Sequence, residues 1–227
     1  MKYKEVLKLI KSRKNTKNIE GMKHFGITAK KVYGLSMSEM IKIAKQIGKD
    51  HLLALKLWES NIYEARIIAC LIEDPKKITE AQVDEWVDGF DSWSICDCCC
   101  GDLIDKTNFT KKKIREWAKS EKEFTRRAAF ATIAWLAVHD KKSSDEEFEK
   151  FFPLVKKYST DERNFVKKAV NWALRQIGKR NKSLNKKAIE MAKEIKKIDN
   201  KAARWIASDA LRELNSEGVQ KRLASKS

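Results

Sequence analysis

The sequence predicts an all-α protein built as a stack of helical pairs. Three observations predict it. Apolar residues recur at helical spacing almost throughout the 227 residues, only 8 Gly and 2 Pro interrupt them, and similar helical segments return at intervals near 40 residues. No stretch alternates apolar and polar residues for long enough to argue for a strand.

Tyr3 to Ile10 reads as a first short helix. Ser36-Met37-Ser38-Glu39 is a capping-box pattern that opens a second helix ending at Ile47. Further helices are predicted over 50–58, 61–72, 79–89, 92–104, 110–119, 121–138, 144–158, 161–178, 182–197 and 200–214. Ser144 to Glu147 reads as a second capping box, and Pro75 separates one helical pair from the next. The tail, residues 216–227, reads as frayed and basic.

The helices also resemble one another. Glu64-Ala65-Arg66-Ile67, Arg126-Arg127-Ala128-Ala129, Lys167-Lys168-Ala169-Val170 and Ala203-Arg204-Trp205-Ile206 each join basic residues to small and apolar ones. Arg127 to Lys168 spans 41 residues and Lys168 to Trp205 spans 37. Arg66 to Arg127 spans 61, which leaves room for another helical pair. A period of this length marks HEAT-like stacking, in which each pair buries its faces against its neighbours. The expected architecture is an α-solenoid of HEAT-like repeats, curved with a basic concave face. It is read as a single domain over 1–227, with residues 1–33 as a basic helical arm or cap. An irregular helical bundle is the alternative.

Charge narrows the partners. The net charge is +17. Residues 1–33 carry ten Lys/Arg against two Glu, and residues 165–227 carry seventeen against six acids. Residues 76–105 invert this, with two Lys against eight acids. Basic segments grip phosphates, and a carboxylate between them could act on what they hold. A solvated lysine-rich surface is the plain alternative. With no long apolar run and no apolar leader, the chain is expected to be cytoplasmic and free of the membrane.

The segment Asp91 to Gly101 carries the first chemistry. At about 100° per residue, Ile95, Cys99 and Leu103 form one stripe suited to a core. Trp93, Asp97, Cys100 and Gly101 fall on roughly the opposite face. An indole and a carboxylate one turn apart would mark a site if exposed; packed under a neighbouring repeat, they would be structural. Between Asn164 and Lys179, Trp172 lies at the edge of an apolar stripe, flanked by Lys168, Arg175 and Lys179. Cations with an aromatic at helical spacing suit a nucleic-acid backbone, although lysine stems could equally cover the ring. Arg127 could clamp a phosphate or pair with a carboxylate of the acidic middle. Cys96, Cys98, Cys99 and Cys100 crowd one turn without a second ligand pair, which fits packing better than zinc. No phosphate-binding glycine loop or nucleophile elbow is present, so neither a nucleotide cofactor nor a metal is expected.

Several runs together resemble the DNA alkylation-repair (AlkD-like) family of HEAT-like DNA glycosylases. They are Gly21 to Ile27, Leu57-Trp58 with Glu64-Ala65-Arg66, Glu85-Trp86-Val87 with Phe90 to Trp93, and Cys96-Asp97. The resemblance covers roughly residues 20–215. It implies Asp97 as the catalytic aspartate with Trp93 four residues before it, Arg127 as the active-site arginine, and Trp172 with Arg175 as the second aromatic position. Lys168, Arg175 and Lys179 would hold the DNA backbone. Ser94 and Cys98 depart from the family's usual larger or more polar residues, which bears on substrate range.

The implied activity is excision of N3- or N7-alkylated purines from duplex DNA by a monomer. Such a base is cationic and its glycosidic bond weakened, so a nearby carboxylate and two indole faces could stabilise the oxocarbenium-like sugar. A helical solenoid offers no evident pocket for a flipped base. The competing readings are a non-catalytic DNA or RNA binder that recognises backbone shape, and a scaffold for acidic proteins.

Overall fold

The computed structural model describes residues 1–225. Among them are fifteen α-helices, a 3-10 turn at Ile104–Lys106, and no strand. By contact the described residues divide into two compact units, one over 1–110 and one from residue 111 onward.

The first unit holds α1 (Tyr3–Ser12), α2 (Thr16–His24), α3 (Met37–Ile47), α4 (His51–Glu59), α5 (Tyr63–Ile72), α6 (Glu80–Asp88) and α7 (Trp93–Asp102). The capping box expected at Ser36 is formed. Ser36 N donates to Glu39 Oε2 at 2.9 Å, and Glu39 N donates to Ser36 Oγ. Helix α2 escapes a pattern reading because it has no fully buried residue; Asn15 caps it by accepting from Asn18 N. Helix α5 lies at the centre, buried along most of its length and packed against α3, α4 and α7.

Two clusters fix this unit. Trp58 and Trp86 stack at 4.4 Å and 9°, Phe90 meets Trp58 edge-on, and the Arg66 guanidinium lies over Trp58. In the second, Glu64 is fully buried on α5, and its Oε1 accepts N–H bonds from Tyr33 and Gly34 at 2.8 and 2.6 Å. Gly34 has φ +81°, and a Cβ there would meet Asn15 O at 2.3 Å, so only glycine fits this turn. Burial raises the Glu64 carboxyl above its usual 4.5, and the backbone N–H bonds oppose that only in part.

The second unit takes in α8 (Thr110–Trp117), which begins at the boundary, α9 (Glu123–His139), α10 (Asp145–Glu149), α11 (Phe152–Tyr158), α12 (Asn164–Gly178), α13 (Lys182–Lys196), α14 (Lys201–Leu214) and α15 (Glu217–Ala224). Helix α12 packs on α9, α13 and α14. At its end a Cβ on Gly178 would meet Leu214 and Ala188 side chains at 2.7 and 2.8 Å, so the close approach of three helices excludes a larger residue.

Polar stitches join successive helical pairs at nearly constant spacing. Arg126 Nη1 meets Asp161 at 2.7 Å across 35 residues, and Asn171 Nδ2 donates to Asp209 at 2.7 Å across 38. Arg175 bonds Glu213 across 38. This spacing is the repeat read from the sequence.

Two predicted elements differ. The helix expected over 144–158 breaks into α10 and α11, because Pro153 at the start of α11 lacks the N–H that a continuous helix needs. The capping box at Ser144 lacks its side-chain bond, and the Glu147 carboxylate instead meets Lys111 at 2.9 Å and Lys150. The frayed tail is also corrected. Ser216 caps α15, and Leu223 is buried, which anchors the segment; residues 226 and 227 of that tail lie outside the described residues.

Candidate nucleic-acid interface and its acid

Helix α7 starts where Ser92 Oγ accepts from Ile95 N. Trp93 and Asp97 follow one turn apart, and both are half-buried rather than sunk in the core. The indole of Trp93 is directed: Nε1 donates to Phe25 O at 2.7 Å. Beside it, Tyr63 OH donates to Ser94 Oγ at 2.7 Å. Burial pushes the Tyr63 phenol up to about 12, so it stays protonated and keeps donating.

The face assigned to Cys100 and Gly101 is a correction. Both are buried, along with Cys96, Cys98 and Cys99, because α7 is covered by α5 on one side and by the 3-10 turn on another. All five cysteines are buried thiols outside any disulfide. Contact with Cys70 and burial push the Cys98 thiol well above its ordinary value, and burial pushes Cys99 to about 11. Protonated thiols in this setting pack as small apolar groups.

In the second unit the α9–α12 contact gathers the remaining candidates. Arg127 is 6% exposed, and its Nη1 donates to Phe165 O at 2.7 Å. The guanidinium expected to clamp a phosphate is therefore sunk in a helix interface. Trp172 is half-buried, with its ring edge-on to Trp135 at 5.4 Å and 79°; Trp135 in turn stacks on His139 at 5.0 Å. Sequence reasoning missed the Trp135–Trp172 pair. Its signal was available, since the two are 37 residues apart, the same interval as Lys168 to Trp205.

The three backbone-binding candidates separate. Lys168 is exposed. Arg175 is ion-paired with Glu213 and lies 3.5 Å from Asp209, and Lys179 meets Glu213 at 2.5 Å. Burial raises the Glu213 carboxyl, but the bonds from Lys179 and Arg175 outweigh it and hold the group below its usual range. On α14, Trp205 is 41% exposed, with Lys167 Nζ 5.0 Å from its ring centre.

Helical pairs stitched at a repeat interval define a helical-repeat protein, and an exposed lysine, half-buried indoles and a carboxylate one turn from a directed indole are its candidate groups. The comparisons agree with that class. Residues 6–214 match the profile of the DNA alkylation repair enzyme family, and the chain belongs to that family. A solved structure, described as a new family of proteins related to the HEAT-like repeat DNA glycosylases with affinity for branched DNA structures, superposes with a TM-score of 0.80 at 24% identity, covering 98% of this chain and 96% of that one. The fold is thus HEAT-like. Uncharacterized proteins of Listeria innocua and Listeria monocytogenes are each 25% identical over 170 residues, 74% of this chain and of each relative.

Proposed function

We propose that the protein is a DNA glycosylase that removes N3- or N7-alkylated purines from duplex DNA, acting as a monomer. The observation that carries this reading is Asp97, half-buried one turn beyond a directed indole on the same helix. The cationic base is already a good leaving group. As the glycosidic bond breaks, positive charge develops on the sugar, and the Asp97 carboxylate would stabilise it and orient the attacking water. The face of Trp93, on the same helix as Asp97, would meet the cationic nucleotide, and in the second unit the Trp172 ring would meet DNA. Lys168 would hold phosphate. Arg127 would act as a positioning residue, because it ties α9 to α12 and so sets Trp172.

The test is release of free base from methylated duplex DNA. Asp97→Asn is expected to keep duplex affinity and lose most excision of 7-methylguanine. Excision at the native rate by that variant would remove Asp97 from the mechanism.

The second reading is a binder of DNA shape without chemistry. The bond from Trp93 Nε1 to Phe25 O favours it, since that indole already serves the fold. The affinity for branched DNA described for the structural relative supports the same reading. Duplex binding with no base released from wild-type protein would decide for it.

A further inference from the structure

The second unit holds a cavity of about 500 Å3 where the C-terminal ends of α9 and α12 meet α15. That size lies within the ~300–1,000 Å3 typical of small-molecule sites. Lys141, Lys179, Arg180 and Arg222 line it, and among the described residues no carboxylate does. Cations around one hollow repel each other, and low-dielectric walls focus their field on its centre. The arrangement is therefore unfavourable until an anion enters.

Bonds to the fold aim these cations. Arg180 Nη1 donates to Ala137 O at 2.9 Å and to Asp140 O at 2.7 Å, and its guanidinium lies 3.7 Å from the centre of the Phe148 ring. Burial pushes this guanidinium below its ordinary value, and Asp140 and Asp145 offset that only in part. Lys179 Nζ meets Glu213 at 2.5 Å, and Arg222 Nη2 donates to Lys179 O at 3.3 Å, which ties α15 to the end of α12. Capping of helix carbonyls explains one side of each arginine. It gives no reason for exposed Lys141 to line the same hollow.

Charge and shape decide the ligand class. A phosphate monoester carries about −1.5 to −2 charge near neutral pH, against a single negative charge on a backbone diester. It also offers several oxygens to separate donors. Lysines supply point charges, and arginines supply paired N–H groups suited to phosphate. Within a continuous duplex each phosphate is held by the chain on both sides and rides over a recess. A phosphate at a strand end is tethered on one side only and can enter it. A lone carboxylate would leave most of these cations unmatched. We propose that the cavity holds the terminal phosphate of a DNA strand. The inference rests on the reading that this chain binds DNA, and it uses none of the residues assigned to base excision.

The experiment uses two short blunt duplexes of one sequence, labelled with a fluorophore at a 3′ end and differing only in whether their 5′ ends carry phosphate or hydroxyl. Wild-type protein is expected to bind the phosphorylated duplex about fivefold more tightly, by anisotropy at one salt concentration. Lys141→Glu and Arg222→Glu each reverse an exposed cation at the cavity and should bring that ratio to about one. Lys193→Glu makes the same charge change at an exposed position on α13 outside the cavity lining and should keep the wild-type ratio. The ratio is the readout, so a loss of affinity common to both duplexes does not mimic the result. Equal wild-type affinity for the two duplexes, a ratio unchanged in both cavity variants, or a ratio equally lost in Lys193→Glu overturns the proposal while leaving DNA binding in place. Equal duplex affinities, together with calorimetric binding of deoxyadenosine 5′-monophosphate that the cavity variants lose, would assign the cavity to a free phosphomonoester and overturn the strand end as its occupant. Failure of wild-type protein to bind either duplex overturns both this inference and the DNA-binding reading.

Discussion

Trp93 Nε1 donates a 2.7 Å hydrogen bond to the carbonyl of Phe25, 68 residues earlier in the chain. One indole thus fastens the segment after α2 to the start of α7. Trp93→Phe keeps a ring and removes the donor. The loss of global stability is expected to be small, about 1 kcal/mol, because water can reach the freed carbonyl. Trypsin cleavage after Lys23 should nevertheless accelerate, since the local opening of that segment loses its tie. Unchanged cleavage would show that the indole does not hold the arm.

Arg127 tests burial against electrostatics. It donates to Phe165 O from within the α9–α12 interface. Arg127→Ala is expected to remove a charged hydrogen bond, with a loss of about 1.5–3 kcal/mol seen as a lower melting temperature. The slope of log affinity against log salt should stay as in the wild type. A slope flattened by about one unit with an intact melting temperature would make Arg127 a phosphate ligand instead.

Lys168 and Glu213 should move DNA affinity in opposite directions. Lys168→Ala removes an exposed cation and is expected to reduce the salt slope by about 0.9. Glu213→Gln deprives Arg175 and Lys179 of a carboxylate partner, so affinity for duplex of any sequence should rise. Weaker binding by Glu213→Gln would mean that those ion pairs hold the DNA-binding surface in shape.

Glu64 gives a pH dependence with a defined sign. Its folded carboxyl is raised above 4.5, chiefly by burial, so the folded chain keeps this proton where the unfolded chain has released it. Its contribution is complete below 4.5 and is lost as pH rises through the raised folded value. Glu64→Gln still accepts the N–H groups of Tyr33 and Gly34 but does not titrate there. Wild-type stability relative to that variant, from urea midpoints between about pH 4 and 8, should therefore fall with pH and then level. A constant difference would place Glu64 at its ordinary value.

The helical class, the repeat interval and nearly all the long helices were legible because burial of one face imposes a 3.6-residue period on the residues themselves. The capping box at Ser36 was legible for a similar reason, since it is a bond between neighbours in sequence. Helix α2 was not, because it buries no residue fully and so carries almost no period. The break at Pro153 is legible in the proline itself, which lacks the N–H that a continuous helix needs.

Within the candidate site, the residues themselves determined that Trp93 and Asp97 share a face of one helix, because α-helical geometry fixes positions four apart. Their half-buried state was settled only by what packs around α7, and the same packing buried Cys100, which local geometry had placed beside Asp97. Arg127 reads as a cation in either setting; the neighbouring helix α12 made it an internal donor to Phe165 O. Arg175 and Lys179 read as a basic face until α14 supplied Glu213. Sequence determines which face of a helix a side chain occupies, since that depends on backbone geometry. Only the tertiary structure decides what that face meets, since a charge's role depends on partners that lie far along the chain.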